Sequence, residues 1–110
     1  MSQFVTDEQC SLALDYYRDN AEELGALKGR VAVADHYRKV TRGQMVLISE
    51  QSTDSKRIAD AESSANYRDA IEEIENATTE LHTLQTKMKA AELKIEVWRS
   101  LNSRANRGHV

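Results

Sequence analysis

A chain of 110 residues is long enough for one domain with a modest hydrophobic core. Its formal net charge of −3 excludes a global positive field that would attract nucleic acid without selectivity, and its single cysteine excludes an internal disulfide. No apolar stretch approaches the roughly 18 residues of a membrane span, and no secretory signal is indicated, so we expect a cytoplasmic protein without membrane contact.

The first part of the chain predicts one long helix. Proline is absent from the sequence, which removes the commonest cause of helix termination. Thr6 and Gln9 have the spacing of a capping box, which predicts a helix over residues 7–48 after a flexible segment over residues 1–6. An apolar seam with steps of three and four residues is typical of coiled-coil packing. The predicted seam comprises Cys10, Leu14, Tyr17, Ala21, Leu24, Leu27, Val31, Ala34 and Tyr37.

A chain reversal and a second long helix follow. Residues 49–64 are rich in Ser, Thr and Asp, which favour caps and turns, and one short helical turn is predicted over residues 56–62. The second helix is predicted over residues 65–106, with a tail over residues 107–110, and each long helix spans about 60 Å. Its seam comprises Tyr67, Ile71, Ile74, Thr78, Leu81, Leu84, Met88, Ala91, Ile95, Trp98 and Leu101.

The charge of each predicted helix changes sign midway. The first helix is acidic over residues 7–23 and basic over residues 28–42, and the second is acidic over residues 69–80 and basic over residues 87–107. An antiparallel arrangement places acid beside base at both ends, whereas a parallel arrangement brings like charges together. The sequence therefore predicts an all-α fold, a single helical domain built as an antiparallel, coiled-coil-like hairpin of two long helices.

A hairpin of this size buries little apolar surface, which indicates a homo-oligomer. Several apolar residues lie off the predicted seam and are expected to contact another subunit or a partner: Leu12, Ala13, Tyr16, Ala26, Val33, Leu47, Leu93 and Val97. Gly25 and Gly29 leave a smooth patch where another backbone could approach closely. Alternatively, these glycines only weaken or kink the helix, because each costs about 1 kcal/mol relative to Ala.

No constellation of residues in the sequence points to catalysis. The three histidines are widely separated, and neither His36 nor His82 has a Glu three residues before it, as a di-iron bundle requires. Glycine-rich phosphate loops, GxSxG turns and zinc-type cysteine pairs do not occur in the sequence, and Cys10 is expected to be a buried structural thiol. We expect no enzymatic activity, no cofactor, no metal and no small-molecule substrate.

The basic segment, residues 94–107, combines positive charge with the only tryptophan of the chain. Its candidate contact residues are Lys94, Trp98, Arg99, Asn102, Arg104 and Arg107. Cationic side chains neutralise phosphates and an aromatic ring stacks on bases, which are the two requirements of single-strand binding. In the alternative, structural interpretation, Trp98 belongs to the core and the bases pair with the acidic start of the first helix.

Residues 65–104, ANYRDAIEEIENATTELHTLQTKMKAAELKIEVWRSLNSR, resemble the UvsY-like recombination mediators of T-even phages in helical texture and in the Arg- and Ser-rich ending. The resemblance implies an oligomer that binds single-stranded DNA and helps a recombinase displace a single-strand binding protein. It also implies that Trp98, Arg99, Arg104 and Arg107 are contact positions.

Two hypotheses for function follow. The first is a non-enzymatic, oligomeric, phage-type recombination accessory protein that contacts single-stranded DNA or its protein coat through the basic segment. The second is a helical adaptor or inhibitor that docks on a host or phage enzyme and does not bind nucleic acid. A structural spacer is a third possibility.

Overall fold

The structure is a computed structural model that describes residues 5–108, with side chains described for residues 5–105. In this part of the chain α1 spans Asp7–Ile48, α2 spans Asp54–Glu62 and α3 spans Ala65–Gly108, and no strand occurs. The protein is therefore all-α, and its two long helices pack against each other. Residues 1–4 of the predicted flexible start and residues 109–110 of the predicted tail lie outside the described residues.

The helix boundaries follow from local capping. The capping box at the start of α1 is confirmed, because the N–H of Gln9 donates to Thr6 Oγ1 at 3.1 Å and the N–H of Thr6 donates to Gln9 Oε1 at 2.9 Å. Thr53 caps α2 by accepting from the N–H of Lys56, so this helix begins at Asp54, two residues before the predicted turn. α3 ends at Gly108, two residues beyond the predicted end of the second helix.

The chain forms two compact units. The central unit comprises residues 25–81, and the terminal unit comprises, among the described residues, 5–24 together with 82–108. The central unit therefore contains the second half of α1, all of α2 and the first part of α3. The terminal unit contains the start of α1 and the remainder of α3.

In the central unit α1 and α3 are antiparallel and joined by charged contacts. Arg30 donates to Glu73 at 2.9 Å and to Glu80 at 2.7 Å. Arg38, further along α1, donates to the hydroxyl of Tyr67, nearer the start of α3, at 3.4 Å. The predicted pairing of the basic part of α1 with the acidic part of α3 is therefore confirmed in this unit.

α2 is attached to the end of α1 by two polar contacts. Arg42 donates to Glu62 at 3.0 Å, and the hydroxyl of the buried Ser49 donates to Asp60 at 2.7 Å. Ala61 is only 1% exposed, so this short helix is packed as well as hydrogen-bonded. These contacts fix the chain reversal between the long helices.

In the terminal unit the antiparallel helices are joined by different contacts. The indole N–H of Trp98 donates to Asp7 at 2.7 Å, and the hydroxyl of Tyr17 donates to Glu92 at 3.5 Å. Among the side chains of residues 5–105, no ion pair within 4.0 Å joins the acidic start of α1 to the bases of α3. The structural interpretation of the basic segment therefore holds in part for Trp98, which contacts α1, but no such ion pair is found for the bases.

The predicted seam is correct on α3 and partly wrong on α1. Every seam residue predicted on α3 is buried or half-buried, and the small residues Ala70 and Ala77 are buried with them. On α1, Leu14 and Tyr17 are 53% and 36% exposed, and Tyr37 is 60% exposed. Ala21 is exposed as well.

The core of α1 in the terminal unit lies one residue earlier than predicted. Ala13, expected at a subunit contact, is 5% exposed and packs in the core, and Asn20 is half-buried. Apolar side chains surround α1 in this region, so hydrophobic spacing alone does not select one register. The expectation of a buried thiol is confirmed, since Cys10 is 3% exposed.

Candidate functional site

An apolar groove lies between α1 and α3 in the terminal unit. It is lined by Leu12, Ala13, Tyr16, Lys87, Ala90, Ala91 and Lys94. Ala13 and Ala91 are buried and form its floor, while Leu12 is 60% exposed and Tyr16 is half-buried. Because alanine side chains are short, the two helices leave space between them that a larger apolar side chain could fill.

Positive charge lies along the α3 side of this groove. Lys87 and Lys94 are seven residues apart, so two helical turns bring them to the same side of α3. Both are exposed, and neither has an acidic group within 4.0 Å among the described side chains. Their methylene stems can cover apolar surface while the ammonium groups stay in water.

The residues predicted to bind single-stranded DNA do not form one surface. Arg99 and Arg104 lie on one face of α3 with Ser100 and Ser103, and Glu96 lies on the same face. Lys94 lines the apolar groove instead. Lys94 is thus separated from Arg99 and Arg104 on α3.

Trp98 and Asn102 are half-buried. The indole N–H of Trp98, its only hydrogen-bond donor, donates to Asp7, so this side chain makes a contact within the unit. The side chain of Arg107 lies outside the described residues. The structure therefore brings together two of the predicted arginines, without an exposed aromatic ring beside them.

The predicted oligomer contacts fall in both units. Leu12 and Tyr16 line the groove of the terminal unit. Leu93 and Val97, 49% and 38% exposed, lie on α3 one turn apart and do not line the groove. The other predicted contacts belong to the exposed surface of the central unit, and they are Gly25, Gly29 and Val33.

Sequence reasoning missed two components of the groove. Ala90 lies next to the predicted seam residue Ala91, and Lys87 precedes Met88 of the same seam. The sequence does contain a pattern that predicts a shallow apolar surface with a positive edge. Two adjacent alanines lie at the helix seam, with one lysine a turn before them and another a turn after them.

The described residues contain neither a candidate metal site nor a candidate membrane span. Within residues 5–108, no group of three His, Cys, Asp or Glu side chains could hold a metal ion. In the same part of the chain, no helix combines the length and the apolar character that crossing a bilayer requires. Comparisons of the chain with protein family models, with curated proteins and with solved structures find no match.

Proposed function

We propose that the protein is a non-enzymatic helical adaptor or inhibitor whose terminal unit binds an amphipathic helix of another protein. The observation that carries this proposal is the apolar groove with Lys87 and Lys94 along one side. A docked helix would place apolar residues spaced three, four and seven apart into the groove. Acidic residues flanking that stripe would pair with the two lysines, which gives the complex its orientation.

The groove suits a helix because of its shape and composition. Leu12 and Tyr16 are one turn apart on α1 and provide a wall that loses solvent exposure when a helix docks. The floor of Ala13 and Ala91 and the neighbouring Ala90 carry no bulky side chain, so a partner helix can approach closely. Since the groove is short and Tyr16 in its wall is already half-buried, we expect an affinity in the micromolar range, about −8 kcal/mol.

A peptide titration tests this proposal. The probe is a fluorescein-labelled helical peptide with leucines on one face and glutamates on both flanks, and the control peptide carries lysines on the flanks instead. We expect the glutamate peptide to bind and the lysine peptide to bind at least about tenfold more weakly, because only the first complements Lys87 and Lys94.

Matched variants locate the binding surface. Leu12→Asp should abolish binding of the glutamate peptide, whereas Leu14→Asp should not, because Leu14 has a similar exposure but does not line the groove. The double variant Lys87→Glu/Lys94→Glu should exchange the preference between the two peptides. Equal binding of both peptides, or equal effects of Leu12→Asp and Leu14→Asp, would contradict the proposal.

A second candidate is the recombination accessory function, with contact to single-stranded DNA or its protein coat. It is supported by Arg99 and Arg104, which share a face with two serine hydroxyls and have no acidic group within 4.0 Å among the described side chains. Guanidinium groups and hydroxyls both donate to phosphate oxygens. This candidate requires backbone contact rather than base stacking, because Trp98 is half-buried.

Titration with a labelled oligothymidylate separates the two candidates. DNA contact predicts an affinity that falls steeply between low and physiological salt and is lost in Arg99→Glu/Arg104→Glu, while Lys28→Glu, a charge reversal in the central unit, leaves it unchanged. The absence of oligonucleotide binding at low salt would contradict the proposed contact with single-stranded DNA. The peptide titration would still test, independently, whether the groove binds a helix.

A further inference from the structure

α1 carries a second apolar stripe in the central unit, displaced by one residue, about 100° around the helix, from the row that is buried. Ala26, Val33, Val40 and Leu47 recur at intervals of seven residues. Val33, Val40 and Leu47 are 70%, 42% and 80% exposed, and Tyr37, which lies between them, is 60% exposed. In a coiled-coil contact such a row occupies one of the two seam positions, and the row three residues further on holds Gly29, His36 and Gly43.

The core of the unit uses a different side of the same helix. Leu27, Ala34 and Thr41, also seven residues apart, are 6%, 5% and 3% exposed. α1 therefore has two heptad rows in this region, and packing within the chain covers only one of them. The exposed row leaves large apolar side chains in water, which favours association with another surface.

Three helical glycines lie on the exposed side as well. A Cβ atom added to Gly25, Gly29 or Gly43 would meet nothing within 4 Å, and none of the three has a positive φ. Glycine is among the least favourable residues in a helix interior. Because no contact or backbone conformation within the chain requires glycine at these positions, they suit the close approach of a backbone from outside it.

The charges around this face are largely neutralised. Two exposed titratable side chains lie on this face: His36, in the heptad row of Gly29 and Gly43, and Tyr37, between Val33 and Val40. The neighbouring bases are already paired: Arg30 with Glu73 and Glu80, Arg38 and Lys39 with Asp35, and Arg42 with Glu62. Two identical faces can therefore meet without a large charge repulsion, although Lys28 remains at the edge.

The stripe is also complementary to itself when reversed. In an antiparallel pair with Val33 opposite Val40 of a second copy, Ala26 lies opposite Leu47 of that copy, so a small residue meets a large one at each end. The same alignment places Gly29 near Gly43 of the second copy. A symmetric dimer requires such a self-complementary patch. If one residue of the first copy contacts a second residue of the other copy, the same two residues also meet with the copies exchanged.

We propose that this face binds a second copy of the chain, with the two α1 helices antiparallel. The stripe spans three heptad intervals, about 32 Å of helix. The proposed dimer uses the central unit alone and does not depend on the groove of the terminal unit. The peptide result and the dimer result can therefore succeed or fail independently.

Sedimentation and light scattering across a concentration series test the dimer. At the highest concentration the mass should approach twice the 12.4 kDa of the chain. Val33→Glu and Val40→Glu should each raise the dissociation constant at least about tenfold, because each puts an unpaired charge into the contact. Leu14→Glu, at a similarly exposed leucine of the terminal unit, should leave the constant unchanged, and circular dichroism should show equal helix content in all variants.

Gly29→Ala distinguishes a dimer contact from a merely weakened helix. In the dilute monomer it should raise the melting temperature, since alanine favours helix and its Cβ meets open space. In the dimer it should raise the dissociation constant about tenfold, because the added methyl separates the two backbones. A substitution that stabilises the monomer and leaves the dimer unchanged or tighter would overturn the close approach at Gly29.

Disulfide trapping tests the orientation. A mixture of Val33→Cys and Val40→Cys chains should form cross-linked dimers faster than either variant alone, because the antiparallel pair places position 33 opposite position 40. The native Cys10 is 3% exposed, so the wild-type chain gives the background rate. Faster cross-linking of Val33→Cys with itself would overturn the antiparallel arrangement, and a chain that stays monomeric up to about 1 mM would overturn the dimer altogether.

Discussion

The central and terminal units use the same two helices but join them in different ways. In the central unit Arg30 pairs with two glutamates across the helix interface, and Arg42 pairs with Glu62. In the terminal unit the polar contacts between the helices are made by the indole of Trp98 and the hydroxyl of Tyr17. An opposite charge pattern along two helices therefore predicts their direction, but whether the charges pair depends on how each side chain is placed around its helix.

This difference determines which surface each unit presents. In the central unit four of the five bases of α1 form ion pairs, and beside them α1 carries an uncharged apolar stripe, which suits a second copy of the same chain. The terminal unit leaves Lys87 and Lys94 without an acidic partner among the described side chains, beside an apolar groove, which suits an acidic amphipathic partner. One short hairpin can in this way combine a self-association face with a separate binding face.

The largest expected effects come from the core residues of the two units. Leu27→Ala in the central unit and Met88→Ala in the terminal unit, at side chains 6% and 4% exposed, should each lower the free energy of unfolding by about 2–4 kcal/mol. Urea denaturation at low protein concentration measures both. Leu14→Ala, at a residue 53% exposed, should cost less than about 1 kcal/mol, and an equal cost at Leu14 would mean that the predicted seam is correct after all.

A smaller effect is expected at the contact that is specific to the terminal unit. Asp7→Ala should lower the free energy of unfolding by about 1–2 kcal/mol and change the emission maximum of Trp98, because the indole loses its charged acceptor. Glu8→Ala is the matched control. It removes the same charge from the first turn of α1, where acids interact favourably with the helix dipole, but Glu8 does not bond Trp98. Equal emission shifts in the two variants would show that the bond to Asp7 does not persist in solution.

The sequence was sufficient for the helices and for the seam of α3, but not for the seam of α1. On α3 the large apolar residues follow a single row, so their spacing identifies the buried face. On α1 the neighbouring pairs Leu12 and Leu14, and Tyr16 and Tyr17, support more than one register. The positions of α1 that face the core instead hold the small Ala13 and the polar, half-buried Asn20. Their burial depends on how α1 fits against α3, which hydrophobicity alone does not predict.

The candidate sites were harder to predict for the same reason. The basic segment is conspicuous in the sequence, but the direction of each side chain around α3 separates Lys94 from Arg99 and Arg104. The groove depends on Ala90 and Ala91, which are unremarkable until the helices are placed side by side. Its positive edge further depends on the lack of acidic neighbours, which is a property of the packed helices rather than of the residue order.

A direct comparison of bases in the two units should give a still smaller effect. Arg30→Gln should lower the free energy of unfolding slightly in urea denaturation, because it breaks two partly exposed ion pairs, and high salt should reduce the difference. Lys94→Gln should have almost no effect on unfolding. A loss at Lys94 as large as that at Arg30 would indicate that the bases of the terminal unit do pair in solution.

The smallest expected effect is the pH dependence contributed by Asp35. The hydrogen bond from Arg38, followed by the one from Lys39, holds the pKa of the Asp35 carboxyl below its ordinary value of 3.8. A lowered pKa means that folding favours the charged carboxylate. The stabilisation is therefore fully present above the unfolded-state pKa and is lost as the pH falls through the lower value of the folded state.

Asp35→Asn should accordingly be slightly less stable than the wild type near neutral pH, and the two unfolding curves should converge at acid pH. The side chain of Asp35 is 46% exposed, so water screens the interaction and the difference stays small. Urea denaturation at a series of pH values from about 6 down to about 2 measures it, in the range where the carboxyl titrates. Because Arg38 also reaches Tyr67 on α3, a difference that persisted at the lowest pH would show that Asp35 acts by orienting Arg38 across the helix interface rather than through its charge.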